Sequence, residues 1–100
     1  MADSFDRNGY PTRHAIGRIR RWSYEDFDGL IDFVHDVWWP QGDPYGWKQK
    51  GRTLWFSTGG WSGNEEVVGA LRANLMFWTM CWDASWRGGH FRFKLPKAGA

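Results

Sequence analysis

An alternation of apolar and polar residues near the end of the chain constrains its fold most. In His90–Leu95 the side chains of Phe91, Phe93 and Leu95 alternate with polar ones, and this period of two predicts a strand with one buried face. A second strand is predicted over residues 52–58. Because a sheet with one apolar face must bury that face, we expect helices to pack on it.

Two main helices are predicted from apolar residues that recur every three or four positions. The first begins at the N-cap Ser23 and ends before Pro40, and the second begins near Gly63 and continues to about Ser85. The segment Arg87–Gly89 would end the second helix. The apolar stripe of the first helix consists of Phe27, Leu30, Ile31, Val34 and Trp38, and that of the second consists of Val67, Leu71, Leu75, Trp78 and Trp82.

The rest of the chain predicts simple boundaries. Residues 1–13 read as a flexible N-terminal arm, 14–96 as one domain and 97–100 as a tail, with a weak edge strand over 14–21 and a turn-rich connection over 40–51. The predicted fold class is therefore α+β, a small single domain in which two main helices pack on a short antiparallel or mixed sheet of about three to four strands.

Composition narrows the class of protein. The nine tryptophans exceed the need of one small core, so some are expected at a ligand site or a subunit interface, the alternative being a core built from tryptophan. The net charge of +2 is low for a duplex-DNA binder. The single cysteine, Cys81, predicts an inert buried thiol. With neither a signal peptide nor an apolar run of roughly 20 residues, we expect a cytoplasmic protein that does not enter a membrane.

The leading candidate site is the glycine-rich turn Ser57–Asn64, at the start of the second helix. Glycines let a ligand approach the backbone, and free amides at a helix N-terminus attract anions. The alternative is a tight structural loop, in which Ser62 and Glu65 form a capping box. The candidate ligand-binding residues of this turn are Gly59, Gly60, Trp61, Ser62, Gly63 and Asn64.

The second candidate is the segment Trp86–His90. Arg87 offers a guanidinium fork for phosphate or carboxylate, His90 adds a polar contact and Trp86 adds a stacking face. A helix C-cap explains the same residues structurally. The two candidate segments would meet if the two predicted strands pair side by side.

Signals of catalysis are weak. The three histidines, His14, His35 and His90, lack metal-ligand spacing, and no serine lies in a nucleophile elbow. No catalytic residue, metal ligand or cofactor is therefore predicted, and the chain is interpreted as non-enzymatic.

A longer pattern connects the candidate segments. The run Ser57–Glu65, followed by Phe77-Trp78, Trp82, Ser85 and Arg87–Phe91, resembles a family of small uncharacterised proteins encoded by phages and prophages. The resemblance covers residues 54–93 and implies a phage accessory protein in a host cell. It implies no activity and assigns no role to any residue.

Three functions follow as hypotheses. The first is a sponge that sequesters a small nucleotide-like anion of host defence at the residues named above, within a homo-oligomer. The second is a protein-interaction module that inhibits a host defence protein through Trp38, Trp39, Met76 and Met80. The third is binding of single-stranded nucleic acid by tryptophan stacking along a basic track, against which the modest net charge argues.

Overall fold

The computed structural model describes residues 10–39 and 46–96. These residues form four α-helices and one four-stranded antiparallel sheet in the order β1-β2-β4-β3, which confirms the predicted α+β class. The helices number four, where two main helices were predicted. The elements are α1 (Arg13–Arg21), α2 (Phe27–Val37), β1 (Trp47–Lys50), β2 (Thr53–Ser57), α3 (Ser62–Ala73), α4 (Leu75–Cys81), β3 (Trp82–Trp86) and β4 (His90–Lys94).

The two strands predicted from alternation form the centre of the sheet. Strand β2 pairs with β4, so that Leu54 lies opposite Phe93 and Phe56 lies opposite Phe91. Leu54, Phe56 and Phe93 are all at most 1% exposed. The period-two pattern therefore identified both the strands and their buried face.

Helices α2 and α4 reach the buried face of the sheet through aromatic contacts. The ring of Phe77 lies 5.3 Å from that of Phe93 and 5.4 Å from that of Phe27. Trp38, just after α2, lies 5.1 Å from Phe56. Ring centroids at these separations lie in the attractive range for aromatic pairs, so the contacts join sheet and helices into one core.

Helix α2 begins close to its predicted start. Ser23 accepts a hydrogen bond from the backbone N–H of Glu25 (3.1 Å), at a short 3-10 helix (Tyr24–Asp26). Asp26 then caps α2 by accepting from the N–H of Gly29 (3.0 Å). The predicted stop, Pro40, lies outside the described residues.

The edge strand predicted over residues 14–21 is wrong, because this segment is helix α1. Thr12 caps it by accepting from the N–H of Ala15 (3.1 Å). Ala15 and Ile19, four residues apart, form one buried stripe. Four arginines occupy much of the remaining surface of so short a helix, which hid its period in the sequence.

The single helix predicted from Gly63 to Ser85 is also wrong. It breaks at Asn74, whose side-chain oxygen accepts from the N–H of Phe77 (3.2 Å) and caps α4. The chain from Trp82 onward is strand β3, and it pairs with β4. Arg87–Gly89 is therefore the turn of a β-hairpin and not the end of a helix, and Gly88 and Gly89 have positive φ angles of 91° and 82°.

Asn74 also connects α3 and α4 to the first helix. Its side-chain nitrogen donates to the carbonyl oxygens of Ile19 (2.9 Å) and Trp22 (3.1 Å) at the end of α1. One nearly buried amide thus satisfies backbone groups of two helices that are distant in sequence.

Strand β1 lies within the predicted turn-rich connection. Trp47 stacks on Phe56 with ring centroids 4.2 Å apart, and this tertiary contact explains a strand that the local composition did not predict. Residues 40–45 of the connection, residues 1–9 of the predicted arm and the tail 97–100 lie outside the described residues.

We expect Asn74→Ala to lower the free energy of unfolding by about 2–4 kcal/mol, because it removes a cap and leaves two carbonyl groups without their donor. Urea denaturation followed by circular dichroism measures this. The control Gln49→Ala removes an exposed amide that bonds the carbonyl of Gly51, and its effect should stay within about 0.5 kcal/mol. Equal effects of both substitutions would contradict a structural role of Asn74.

Candidate functional site

The two predicted candidate segments meet at one end of the sheet. Ser57 lies opposite His90 in the β2–β4 pair, and the Ser57 hydroxyl is 2.8 Å from Nδ1 of His90. The backbone N–H of Thr58 donates to the carbonyl of Gly89 (3.0 Å). The adjacency expected from side-by-side pairing of the two strands is therefore confirmed.

The glycine turn itself is open to solvent. Gly59 and Gly60 have positive φ angles of 64° and 76°, and a Cβ at either would meet no atom within 4 Å. The predicted capping box does not form, because Trp61 occupies the N-cap without a side-chain hydrogen bond. The hydroxyl of Ser62 instead donates to the hydroxyl of Tyr10 (3.3 Å).

Gly63 and Asn64 are occupied by contacts within the protein. A Cβ at Gly63 would lie 2.4 Å from ring atoms of Trp61, so only glycine fits beneath that ring. Asn64 is fully buried, accepts from the N–H of Trp39 (2.9 Å) and donates to the carbonyls of Trp39 and Thr58. Its amide joins the end of α2 to the start of α3.

Trp86, Arg87 and His90 lie at the margin of a larger surface, which we call the open face. It is the side of the sheet opposite the core, because side chains alternate along strands and the core takes Leu54, Phe56 and Phe93. None of its residues is buried. The open face contains Lys48, Lys50, Thr53, Trp55, Ser57, Ala84, Trp86, His90, Arg92 and Lys94.

On the open face, cations lie over aromatic rings. The Nζ of Lys48 is 5.5 Å from the ring centroid of Trp55, and the guanidinium carbon of Arg92 is 5.3 Å from that of Trp86. Trp86 is 51% exposed. These distances are typical of cation–π contacts, which hold the charged groups beside the exposed ring of Trp86 and the half-buried ring of Trp55.

The carboxylate of Asp83 partly neutralises the positive charge of this surface. Asp83, at the bulge in β3, bonds to Nε of Arg92 and lies 3.9 Å from Nζ of Lys94. By bonding Nε it fixes the Arg92 guanidinium over Trp86. The acidic residues of the helical layer lie elsewhere, and one of them, Asp28, is paired with Arg52 (2.6 Å).

The open face was only partly visible in the sequence. Its lysines and arginine occur as Lys48-x-Lys50 and Arg92-x-Lys94, a period of two that places both members of each pair on one side of a strand. The same alternation within residues 52–58 places Trp55 on the other side of the strand from Leu54 and Phe56. The alternation was therefore present in the sequence. The order of the strands, which brings these residues together on one face, could not be predicted from it.

The structure changes which residues can belong to the interaction surface predicted around Trp38 and Trp39. Trp38 is only 1% exposed and is part of the core, so it cannot contact a partner, while Trp39 is 49% exposed. Met76 and Met80 are each 47% exposed on α4. Leu75, predicted in the core, is 74% exposed, because the break at Asn74 rotates α4 relative to α3.

Neither a metal-binding cluster nor a reactive thiol is found among residues 10–39 and 46–96. In these ranges no group of three histidine, cysteine, aspartate or glutamate side chains is placed to hold a metal ion. Cys81 is buried, and this burial raises the pKa of its thiol to about 12, although Arg52 nearby lowers it. The thiolate form required of a nucleophile is therefore suppressed at neutral pH.

Comparisons with known proteins add no identity. No protein-family model, no curated protein and no solved structure matches this chain. The resemblance to phage-encoded proteins thus stays a prediction. In the part of the chain that the structure describes, no helix is long and apolar enough to cross a membrane.

We expect the Cys81 thiol to react with a disulfide reagent only when the chain unfolds. Because its pKa is raised in the folded state, the unfolded chain ionises first as the pH rises, and the thiol therefore lowers stability between about pH 9 and 12. The variant Cys81→Ala should therefore lose less stability than the wild type over that same pH range. Labelling of native protein as fast as that of urea-unfolded protein would contradict the burial of this thiol.

Proposed function

We propose that this chain binds single-stranded nucleic acid on the open face of its sheet, without catalysis. The observation that carries the proposal is the alternation of tryptophan faces with cations on a surface that no described element covers: Trp55 and Trp86 with Lys48, Lys50, Arg92 and Lys94. Aromatic faces stack on bases and cations attract the phosphates, and this is the general design of proteins that bind single strands.

The positions of the two tryptophans suit separate bases. Trp55 lies opposite Arg92, and Trp86 lies opposite His90, two residues earlier on β4. They stand two strands apart and offset by two residues, which places them roughly 12 Å from each other. One base can therefore stack on each ring, with Arg92 between them for the connecting phosphate.

The low net charge does not oppose this function once the fold is considered. The open face gathers four cations, and Asp83, the carboxylate that the described part of the chain places beside them, pairs with two of these. The attraction for a phosphate chain depends on the local field of this face rather than on the total of +2.

A direct test uses fluorescence anisotropy of a labelled oligothymidylate of about 12 nucleotides. Trp55→Ala and Trp86→Ala should each weaken binding by about 5- to 150-fold, because stacking contributes about 1–3 kcal/mol per base. Trp55→Phe should restore most of the lost affinity, since it keeps an aromatic face.

The matched control is Trp39→Ala, which removes a tryptophan outside the open face whose exposure of 49% is close to the 51% of Trp86. It should leave the affinity within about twofold, since its backbone bonds to Asn64 remain. Lys48→Gln and Lys50→Gln should each reduce the slope of log affinity against log salt by about 0.7. Equal losses in the Trp39, Trp55 and Trp86 variants, or no binding at low salt, would reject the open face as the site.

A second candidate is the sequestration of a small nucleotide-like anion, as predicted from the glycine turns. The observation that favours it is the contact between the two turns, where Ser57 meets His90 beside Trp86 and Arg87. We expect a mononucleotide bound there to displace the oligonucleotide. Arg87→Gln should weaken the binding of the mononucleotide by about 10-fold or more. Tight mononucleotide binding without oligonucleotide binding would favour this candidate over the first.

A further inference from the structure

A groove on the helical side of the molecule lies between α1 and α3. Its volume of about 570 Å³ is within the range of small-molecule sites. Small residues, including Gly17, Gly69 and Ala73, line it and keep it open between the two helices. Pro11, which is buried, and Ile16, which is half-buried, complete the lining with apolar side chains.

Three arginines of α1 line this groove. Arg13, Arg20 and Arg21 form no ion pair with any of the residues that the structure describes. The guanidinium of Arg21 lies over Gly17, where a Cβ would be only 3.0 Å from its nitrogen atoms. A larger residue at position 17 would displace this side chain, so glycine gives Arg21 its place in the groove.

The fourth arginine of α1 behaves differently. The guanidinium of Arg18 lies over the rings of Phe33 (4.4 Å) and Trp22 (5.1 Å), and it does not line the groove. The groove arginines occur at positions i, i+7 and i+8, so they share one side of the helix and span about 12 Å along it.

We propose that this groove binds a small organic polyphosphate, of the class of nucleoside di- and triphosphates. Guanidinium forks pair with phosphate oxygens, and their spread along α1 suits an extended polyanion better than a single phosphate. The apolar surface at Pro11 and Ile16 receives the organic part of the ligand. Glu66, which also lines the groove, opposes the anion and tunes its affinity.

This site is independent of the open face and of the function proposed for it. The groove lies between two helices, whereas the open face is on the other side of the sheet from the core. The double variant Trp55→Ala/Trp86→Ala should therefore bind polyphosphate as the wild type does. Loss of oligonucleotide binding alone tests the open face, and loss of polyphosphate binding alone tests the groove.

The experiment is isothermal titration calorimetry with ATP and with inorganic tripolyphosphate. We expect Arg20→Gln and Arg21→Gln each to weaken the binding of ATP by about 10-fold or more. Glu66→Gln should strengthen the binding of ATP, because it removes a negative charge from the groove. Ala73→Leu, which fills the groove without changing its charge, should also abolish binding. Weaker binding of tripolyphosphate than of ATP would place the organic part on the apolar surface, as proposed.

The matched control is Arg18→Gln, on the same helix and with the same change in charge. It should alter the ATP affinity by no more than about twofold, because its guanidinium packs on Trp22 and Phe33 outside the groove. An equal loss in Arg18→Gln would mean non-specific attraction to a basic helix. That result, or no binding of either probe below about 1 mM, would overturn the proposal.

Discussion

The packing of Phe93 against its aromatic neighbours determines which side of the sheet faces the helices. Its ring lies 5.2 Å from Phe56, 5.3 Å from Phe77 and 5.5 Å from Trp78, and no part of it is exposed. Burying one phenylalanine contributes about 1.5–3 kcal/mol, and the pairs add to this. Because side chains alternate along β4, the same packing directs Arg92 to the opposite side. A register shift of one residue would exchange the two faces, so the core and the open face have a single cause.

The sequence predicted what depends on local pattern and missed what depends on tertiary contact. Strands β2 and β4 and helix α2 were predicted because their apolar residues recur with a clear period. Strand β3 was interpreted as the end of a helix, because Trp82 continues the spacing of three or four residues that joins Leu75 and Trp78. Its pairing with β4 decides the outcome. Asn74, the residue that ends α3, gave no signal, since its partners Ile19 and Trp22 are more than fifty positions away.

The same distinction holds for the candidate sites. The meeting of Ser57 with His90 followed from strand pairing and could be anticipated. The hydrogen bond between Asn64 and Trp39 could not be anticipated, because it depends on the position of the end of α2 relative to the start of α3. The nine tryptophans divide in a way that composition cannot reveal, with Trp38 in the core and Trp86 on the open face. The excess of tryptophan over the need of a small core is thus real, but its location required the fold.

The two proposed sites use different cations, and the difference bears on what each can recognise. The open face carries three lysines and one arginine, and lysine is a flexible point charge that accepts many phosphate positions. Together with aromatic stacking, which tolerates every base, this favours a strand bound without strong sequence preference. The cations that line the groove are all arginines, whose planar guanidinium groups require phosphate oxygens in a defined geometry. We therefore expect the groove to select among ligands and the open face to tolerate different base sequences. A change in the chemistry of the ligand should reduce binding in the groove more than binding on the open face.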